Sequence, residues 1–303
     1  MEEIEFQVIK IIAEKGPQIG KELAEALPHV PVLALWQACY RSRSFHISHF
    51  ASYYLRFDIK REDQVRLSPS ILRDFLSFTL FALPGQRDQM IERQGMLANM
   101  HREISREKIY LAQLVMKQLF ISLGREVRSQ LCAFIAGDLA YFLAHNEPRE
   151  HAASGEMVKG SDIDIVIILN DSLPDKIKAS IDSEMTIMKS MYLRHPSFRH
   201  EIDFICKRKS VMEGQFQYSD IHEKIASKIA YESMFLGGSL TLYMEVHDAM
   251  MRTGVDQLIE QDFDHALKDR KHAMQKLLHF PGDSIDDETR SLFYFSQERV
   301  EFS

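Results

Sequence analysis

Two aspartates stand two residues apart in the segment KGSDIDIVIIL, residues 159–169. The alternation of acidic and aliphatic residues predicts a β-strand, and on a strand Asp162 and Asp164 project to the same face. Carboxylates that share one site repel each other, and a buried strand tolerates them where a cation or a protonation change relieves the repulsion. The simplest relief is a divalent ion such as Mg²⁺, which prefers oxygen ligands and completes its shell with substrate phosphates.

A third acid stands in a similar setting, in the segment EIDFI. Asp203 lies there between aliphatic residues, which predicts another strand and makes an accidental surface acid the weaker interpretation. The alternative for Asp162 and Asp164 is an edge strand, because natural sheets charge their edges to prevent aggregation. The catalytic interpretation requires the three acids to converge, and a lysine or arginine ion-paired between them would argue against it.

The order of these features resembles the nucleotidyltransferase superfamily, in which one strand ends in Gly-Ser, the next carries Asp-x-Asp and a third carries one more Asp. The matching residues are Gly137 in FIAGDLAYFL, Asp162 and Asp164 in GSDIDIVI, and Asp203 in EIDFI. The resemblance spans residues 131–206.

By this resemblance, the protein would be a metal-dependent enzyme that moves a nucleoside monophosphate from a triphosphate to a hydroxyl acceptor and releases pyrophosphate. Asp162, Asp164 and Asp203 would be the catalytic residues and would bind two Mg²⁺ ions, with Asp203 activating the acceptor hydroxyl. ATP is the expected triphosphate, and the acceptor is expected to be a small molecule or a protein side chain. The residues expected to contact the nucleotide are Gly137, Asp138, Ser161 and Lys159.

Two features depart from the family pattern. Asp138 stands where the family has a serine that binds the triphosphate, and an acid there repels phosphate unless it binds metal. The interval before Asp162 is also longer than usual, which indicates an inserted active-site loop at 145–160. Positive charge for the triphosphate could come instead from four basic residues of this loop, His145, Arg149, His151 and Lys159.

The apolar spacing predicts the elements around these residues. Three amphipathic helices within residues 3–42 precede strand residues around a charged turn at 45–68, and a further helix follows at 68–81. Two long helices are predicted at 86–130. Three strands then carry the candidate residues, with a helix that begins behind Pro174 between the second and the third.

We therefore predict an α+β or α/β protein with four parts. They are a winged-helix-like domain at 1–84, a helical connector at 85–130, a small mixed-sheet nucleotidyltransferase core at 131–210 and a C-terminal helical bundle at 211–303. Within the last part, the glycines at 237–238 are expected to interrupt the helices. Four further candidates for nucleotide or acceptor contacts lie there, Tyr243, Glu245, His247 and Asp248.

The N-terminal domain raises a different hypothesis, because basic and aromatic residues are interleaved across residues 31–66. Residues 1–84 nevertheless hold ten Lys plus Arg and ten Asp plus Glu, so the domain is neutral, and DNA binding there is not favoured. The alternative function is a non-catalytic DNA-binding regulator or partner-binding protein with a degenerate nucleotidyltransferase core.

The composition is that of an ordinary globular protein: 303 residues, 45% of them hydrophobic, with a net charge of -7. The three cysteines are isolated, without the spacing of a metal site or a disulfide framework. No apolar run has the length of a membrane-spanning helix. We therefore expect a cytoplasmic protein that does not bind membranes.

Overall fold

The computed structural model describes residues 2–57, 65–151, 154–281 and 287–294. Helices and small sheets share the chain, so the protein is of the predicted α+β class. The chain forms two compact units. The first comprises Met1–Leu55, Arg66–Met100 and Phe263–Ser303, and the second comprises Arg56–Val65 and His101–Asp262. This grouping differs from the four predicted domains, since the last part of the chain belongs to the N-terminal unit.

The helices and strands follow each other in an irregular order. The helices are α1 (Glu2–Lys15), α2 (Gly20–Ala26), α3 (Val32–Arg41), α4 (Ile71–Arg73), α5 (Arg87–Arg128), α6 (Asp175–Arg194), α7 (Lys209–Gly214), α8 (Ile221–Tyr231), α9 (Leu240–Thr253), α10 (Val255–His279) and α11 (Asp287–Phe293). The strands are β1 (Gln18–Ile19), β2 (His46–His49), β3 (Tyr54–Phe57), β4 (Val65–Ser68), β5 (Thr79–Ala82), β6 (Leu131–Ile135), β7 (Pro148–Glu150), β8 (Met157–Lys159), β9 (Ile163–Leu169), β10 (Ile202–Arg208) and β11 (Met234–Gly238). Within the described ranges, no helix has the length and apolarity needed to cross a bilayer.

In the first unit, α1, α2 and α3 bury their apolar faces in one core around Trp36, which is fully buried. Leu277 of α10 and Phe293 of α11 belong to the same core. A three-stranded antiparallel sheet has the order β1-β5-β2. Three predicted helices of the N-terminal segment are therefore present, and a sheet accompanies them.

The strands of this unit differ from the prediction. The predicted helix at 68–81 ends at Phe78, and Thr79–Ala82 forms the central strand of the sheet instead. Its four residues are fully buried and pair on both sides, with β1 and β2, so tertiary pairing overrides the helical spacing of this segment. β3 and β4 form a separate two-stranded sheet. The charged turn predicted between them falls largely at 58–64, outside the described residues.

The connector, α5, is a long helix up to a kink at Gly124 and a short helical segment after it, where two long helices were predicted. Gly124, with φ 76° and ψ 170°, is the non-helical position within its range. Between Met96 and Leu123 the sequence contains neither glycine nor proline, so nothing in that stretch interrupts the backbone hydrogen bonds. The break therefore falls close to the C-terminal end of the helix.

The second unit is built on a four-stranded mixed sheet of order β10-β9-β6-β11. β9 and β10 are parallel, while β6 is antiparallel to both of its neighbours. The three strands predicted from LCAFIAG, DIDIVIIL and EIDFICK are β6, β9 and β10, and the helix predicted between the last two is α6. Ile163, Ile165 and Ile167 of β9 lie in one core with residues of α5 and α6. Alternate residues of β9 therefore face away from this core.

Two segments of the second unit differ from the prediction. The glycines at 237–238 do not interrupt a helix; they end β11, which pairs with β6. A side chain at Gly238 would lie 2.3 Å from the carbonyl oxygen of Leu131, so the close approach of the two strands requires glycine. The predicted inserted loop at 145–160 forms an antiparallel hairpin of β7 and β8. The C-terminal part thus contains a strand and is not purely helical.

Candidate metal and phosphate site

Four carboxylates lie on one face of the sheet where β9 and β10 begin. The register of these parallel strands places Asp164 beside Asp203. Asp162 and Glu201, two residues before Asp164 and Asp203, directly precede the first residues of β9 and β10. The backbone nitrogen of Ile163 donates to the Glu201 carbonyl at 3.0 Å. Because side chains alternate along a strand, all four acids face away from the core. The sheet therefore brings the three predicted acids to one surface.

The tightest group is not the predicted one. Asp162, Glu201 and Asp203 each offer a carboxylate oxygen, and these atoms lie within 4.8 Å of one another. Glu201 was not predicted, although it precedes Asp203 by two residues, the same spacing that singled out Asp162 and Asp164. Four acids on two adjacent strands form an oxygen-rich surface, which is the donor set that hard divalent cations prefer.

Asp164 has a strongly shifted pKa. Desolvation by the surrounding protein raises the pKa of this carboxyl to about 6, the negative charges of Asp203, Asp138 and Glu232 add to the rise, and Lys228 opposes it. The side chain is nonetheless exposed to solvent, so the effect of desolvation is partly offset by water. Asp164 is thus an accessible carboxylate in a field of negative charge.

Gly137 lies directly beside Asp164. A side chain at Gly137 would stand 3.2 Å from a carboxylate oxygen of Asp164, and the residue has φ 69°. Its nitrogen donates to Oε1 of Glu232 at 3.0 Å, and Glu232 is ion-paired with Lys228 at 2.6 Å. Burial raises the pKa of Glu232, against the opposing charge of Lys228. The predicted glycine is therefore at the site.

Arg149 reaches the carboxylates from the hairpin of β7 and β8. Its Nε donates to the Gly160 carbonyl at 2.9 Å, and one terminal nitrogen bonds Oε2 of Glu201 at 2.7 Å. The same nitrogen forms an ion pair with Asp162. His151 of this segment lies 3.3 Å from the other oxygen of Glu201. The inserted segment was predicted to offer positive charge to the triphosphate; in the structure its Arg149 and His151 contact the carboxylates of the site.

A second cation, Lys189 of α6, forms an ion pair with Oδ1 of Asp203. About a third of the Lys189 side chain is exposed, against 14% for Arg149. These two ion pairs are the arrangement that argues against the catalytic interpretation, because basic groups stand where a metal ion would bind. They neutralise two of the three predicted acids, whereas Asp164 forms no ion pair with any residue that the structure describes.

The remaining predicted nucleotide contacts lie behind the acids. Ser161 is buried, and its hydroxyl donates to Oδ2 of Asp138 at 3.1 Å and accepts from the His145 nitrogen at 3.2 Å. Lys159 directs its ammonium to the carbonyl of Ser197 at 3.1 Å. The side chain of Ser161 therefore holds Asp138 and the chain at residue 145 together.

A buried ammonium supports the turn that precedes Asp162. Lys108 of α5 donates to the carbonyls of Lys159 (2.7 Å) and Ser161 (2.8 Å), and it lies 3.1 Å from Nδ1 of His200. Burial lowers the pKa of Lys108 to about 8, and burial with the charge of Lys108 lowers the pKa of His200 to about 4. His200 is therefore neutral and accepts the hydrogen bond. No local pattern marks Lys108, because its partners are distant in sequence.

The other candidates bond elsewhere. Tyr243 and His247 of α9 both lie near the hydroxyl of Ser233, at 3.2 and 3.0 Å, and Glu245 bonds Lys209 at 2.6 Å. Their hydrogen bonds hold α9 to neighbouring segments of its own unit.

Several aromatic and basic residues of the N-terminal segment also make their contacts within the fold. Phe45 and Tyr54 are buried, as core residues are, and Nε2 of His49 lies 2.7 Å from the buried carboxylate of Asp74. These residues are therefore engaged within the fold.

Comparison with known proteins does not assign the chain to a family. No family model matches the chain, and no curated protein resembles it at a significant level.

Proposed function

We propose that the protein is a metal-dependent nucleotidyltransferase that acts on a nucleoside triphosphate, with ATP as the expected substrate. The observation that carries the proposal is the register of β9 and β10, which gathers Asp162, Asp164, Glu201 and Asp203 on one face. Gly137, at the end of the neighbouring strand, completes the order of features that the superfamily shares. The mixed sheet with two parallel strands supports the same assignment.

The residues fit a divalent cation by the chemistry of their donors. Carboxylate oxygens are the ligands that Mg²⁺ takes in proteins, and Asp164 and Asp203 would hold it. The raised pKa of Asp164 supports this role, since a cation would relieve the charge repulsion that raises it. A bound Mg²⁺ would polarise the phosphoryl oxygens and offset charge on the leaving pyrophosphate.

The chain itself would orient the reactants. The glycine at 137 lets the backbone approach a phosphate, which a side chain at this position would obstruct. Lys159 and Arg149 bring positive charge to the side of the inserted hairpin, which suits the triphosphate. Asp203 would accept the proton of the attacking hydroxyl or position the group that does. The acceptor, in this proposal, is a small molecule or a protein side chain.

The first unit would be a winged-helix-like module. Three helices and a sheet of order β1-β5-β2, in which the middle strand is the last in sequence, support this proposal. Its ten basic and ten acidic residues within 1–84 favour a packing or partner-docking role over DNA binding.

The test is pyrophosphate release from each of the common ribonucleoside triphosphates in the presence of Mg²⁺. We expect release with one of them, and we expect Asp164→Asn and Asp203→Asn each to reduce it by more than about a hundredfold. The matched control is Asp182→Asn, which removes a partly exposed acid of α6 that is paired with Lys178, and should leave the rate unchanged. Absence of release with every triphosphate, or full activity of Asp164→Asn, would refute the proposal.

A second candidate is a non-catalytic regulator or partner-binding protein with a degenerate core. The ion pairs of Arg149 with Asp162 and of Lys189 with Asp203 favour it, as does Asp138 in place of the family serine. This candidate predicts that no triphosphate yields pyrophosphate, so the same assay separates the two functions.

A further inference from the structure

Arg149 makes more contacts, and is less exposed, than an arginine in an ordinary surface ion pair. It contacts three oxygen groups, the carbonyl of Gly160 and the carboxylates of Glu201 and Asp162, and only 14% of its side chain is exposed. An arginine held on several sides and largely withdrawn from water is costly to displace, because its partners would lose a charge-assisted bond. Arg149 is therefore a fixed cation of the site.

Lys189 is held differently. It has one carboxylate partner at the site, Oδ1 of Asp203, and about a third of its side chain remains exposed. No described residue forms an ion pair or hydrogen bond with Oδ2 of the same carboxylate, so this oxygen can bind another cation. Lys189 and a metal ion can thus share Asp203, whereas Arg149 occupies the space between Asp162 and Glu201.

The contacts divide the four acids into two pairs. Arg149 is bound between Asp162 and Glu201. Asp164 and Asp203 are direct partners in the register of β9 and β10, so their side chains lie next to each other on the same face of the sheet. The second pair is therefore the one that remains for a divalent cation.

We infer that Arg149 takes the place of one of two divalent ions, so that the site binds a single ion, through Asp164 and Asp203. The inference rests on the proposed function, and it departs from the two ions that the superfamily resemblance implies. Asp162 and Glu201 act in this arrangement as the anchor of Arg149 and not as metal ligands.

The experiment counts Mn²⁺ ions bound to the full chain, without nucleotide, by electron paramagnetic resonance of the unbound ion. We expect one ion for the wild type and two for Arg149→Gln, which frees two carboxylates. Arg149→Lys, which keeps the charge, should bind one. The matched control is Arg106→Gln, which removes an exposed arginine paired with Glu103 and should also bind one.

A second pair of variants tests the same inference without altering Arg149. Asp162→Asn should keep Mn²⁺ affinity within about fivefold of the wild type, whereas Asp203→Asn should weaken it more than about a hundredfold. Circular dichroism establishes that each variant is folded.

The outcomes separate the inference from the proposed function. Two ions in the wild type, or an equal loss of affinity in Asp162→Asn and Asp203→Asn, would overturn the inference and leave the enzyme proposal standing. Absence of Mn²⁺ binding in every folded variant would overturn both.

Discussion

Asp164, the proposed metal ligand, has a pKa that links its ionisation to the stability of the fold. Its pKa is raised from the ordinary 3.8 to about 6, so the folded protein binds this proton more tightly than the unfolded chain does. Linkage then requires the stability of the folded state to fall as the pH rises through this interval. The cost of this ionised carboxylate at neutral pH supports the binding role that we propose for Asp164.

We therefore predict that Asp164→Asn stabilises the metal-free protein. At about pH 7.5 the free energy of unfolding should rise by on the order of 1 kcal/mol, a value discounted for the exposure of the side chain. The gain should shrink as the pH falls from about 6 to 3.8, the interval in which the wild-type carboxyl is protonated in the folded state but still ionised in the unfolded chain. Urea denaturation in the presence of a chelator measures both effects.

Saturating Mn²⁺ should reverse the order of stability, because only the wild type keeps the full ligand set. A variant that is less stable than the wild type in the chelator at neutral pH would contradict this assignment of Asp164.

At the scale of single residues, part of the candidate site could be predicted from the sequence. Alternation with aliphatic residues identified Asp162, Asp164 and Asp203, because that pattern is local. Glu201 shows the same alternation, so the same argument could have predicted it. Arg149 was recognised as a basic residue of an inserted segment, but its carboxylate partners depend on how the hairpin folds back. Lys189 lies on a helix whose sequence gives no sign of the pairing.

At the scale of elements, local patterns predict strands and helices well where burial and periodicity agree. β6, β9, β10 and α6 follow the predicted order. β5 and β11 were missed because each is a strand only by virtue of its neighbours: β5 pairs on both edges, and β11 ends in two glycines that signal a break when seen alone. Strand propensity depends on context in this way.

The glycine at the end of β11 provides a test of that explanation. Gly238→Ala would place a side chain 2.3 Å from the carbonyl oxygen of Leu131, at a residue with φ 92°. We expect it to destabilise the protein by about 3 kcal/mol or more, since both backbone strain and a clash oppose it. Urea denaturation followed by circular dichroism provides the measurement.

The matched control is Gly214→Ala, at the end of α7, where nothing lies within 4 Å of the added carbon. Its stability should stay within about 1 kcal/mol of the wild type. Equal stabilities for the two variants would show that the strand pairing does not require Gly238.

At the scale of the whole molecule, sequence reasoning grouped the chain into consecutive domains, whereas the compact units are discontinuous. Residues of α10 complete the N-terminal unit: the amide of Gln37 donates to the carbonyl of Leu277 at 2.7 Å, and Arg270 bonds Asp74 at 2.6 Å. Each contact joins residues roughly two hundred or more positions apart. A buried glutamine or arginine carries no signal that names a partner so distant, so this grouping could not be predicted locally.

Substitution in the Asp74–Arg270 pair can test whether these contacts between distant residues stabilise the first unit. Both side chains are buried, and Asp74 also accepts from Tyr53 at 2.7 Å. Burial alone would raise the pKa of Asp74, but His49 and the charge of Arg270 more than offset it and lower the pKa below 3.8. The ionised carboxylate therefore contributes stability that is present above that value and is lost only as the pH falls through the lowered pKa.

We predict that Arg270→Met lowers the free energy of unfolding by about 3–5 kcal/mol at neutral pH, because it leaves Asp74 buried without its guanidinium partner. The deficit should narrow as the pH is lowered towards about 5, since the unpaired carboxylate can then take up a proton. The control is Arg252→Met, an exposed arginine in the last turn of α9, for which the change should stay within about 0.5 kcal/mol. Urea denaturation across this pH range measures both variants, and equal stabilities would show that the C-terminal helices add little to the first unit through this pair.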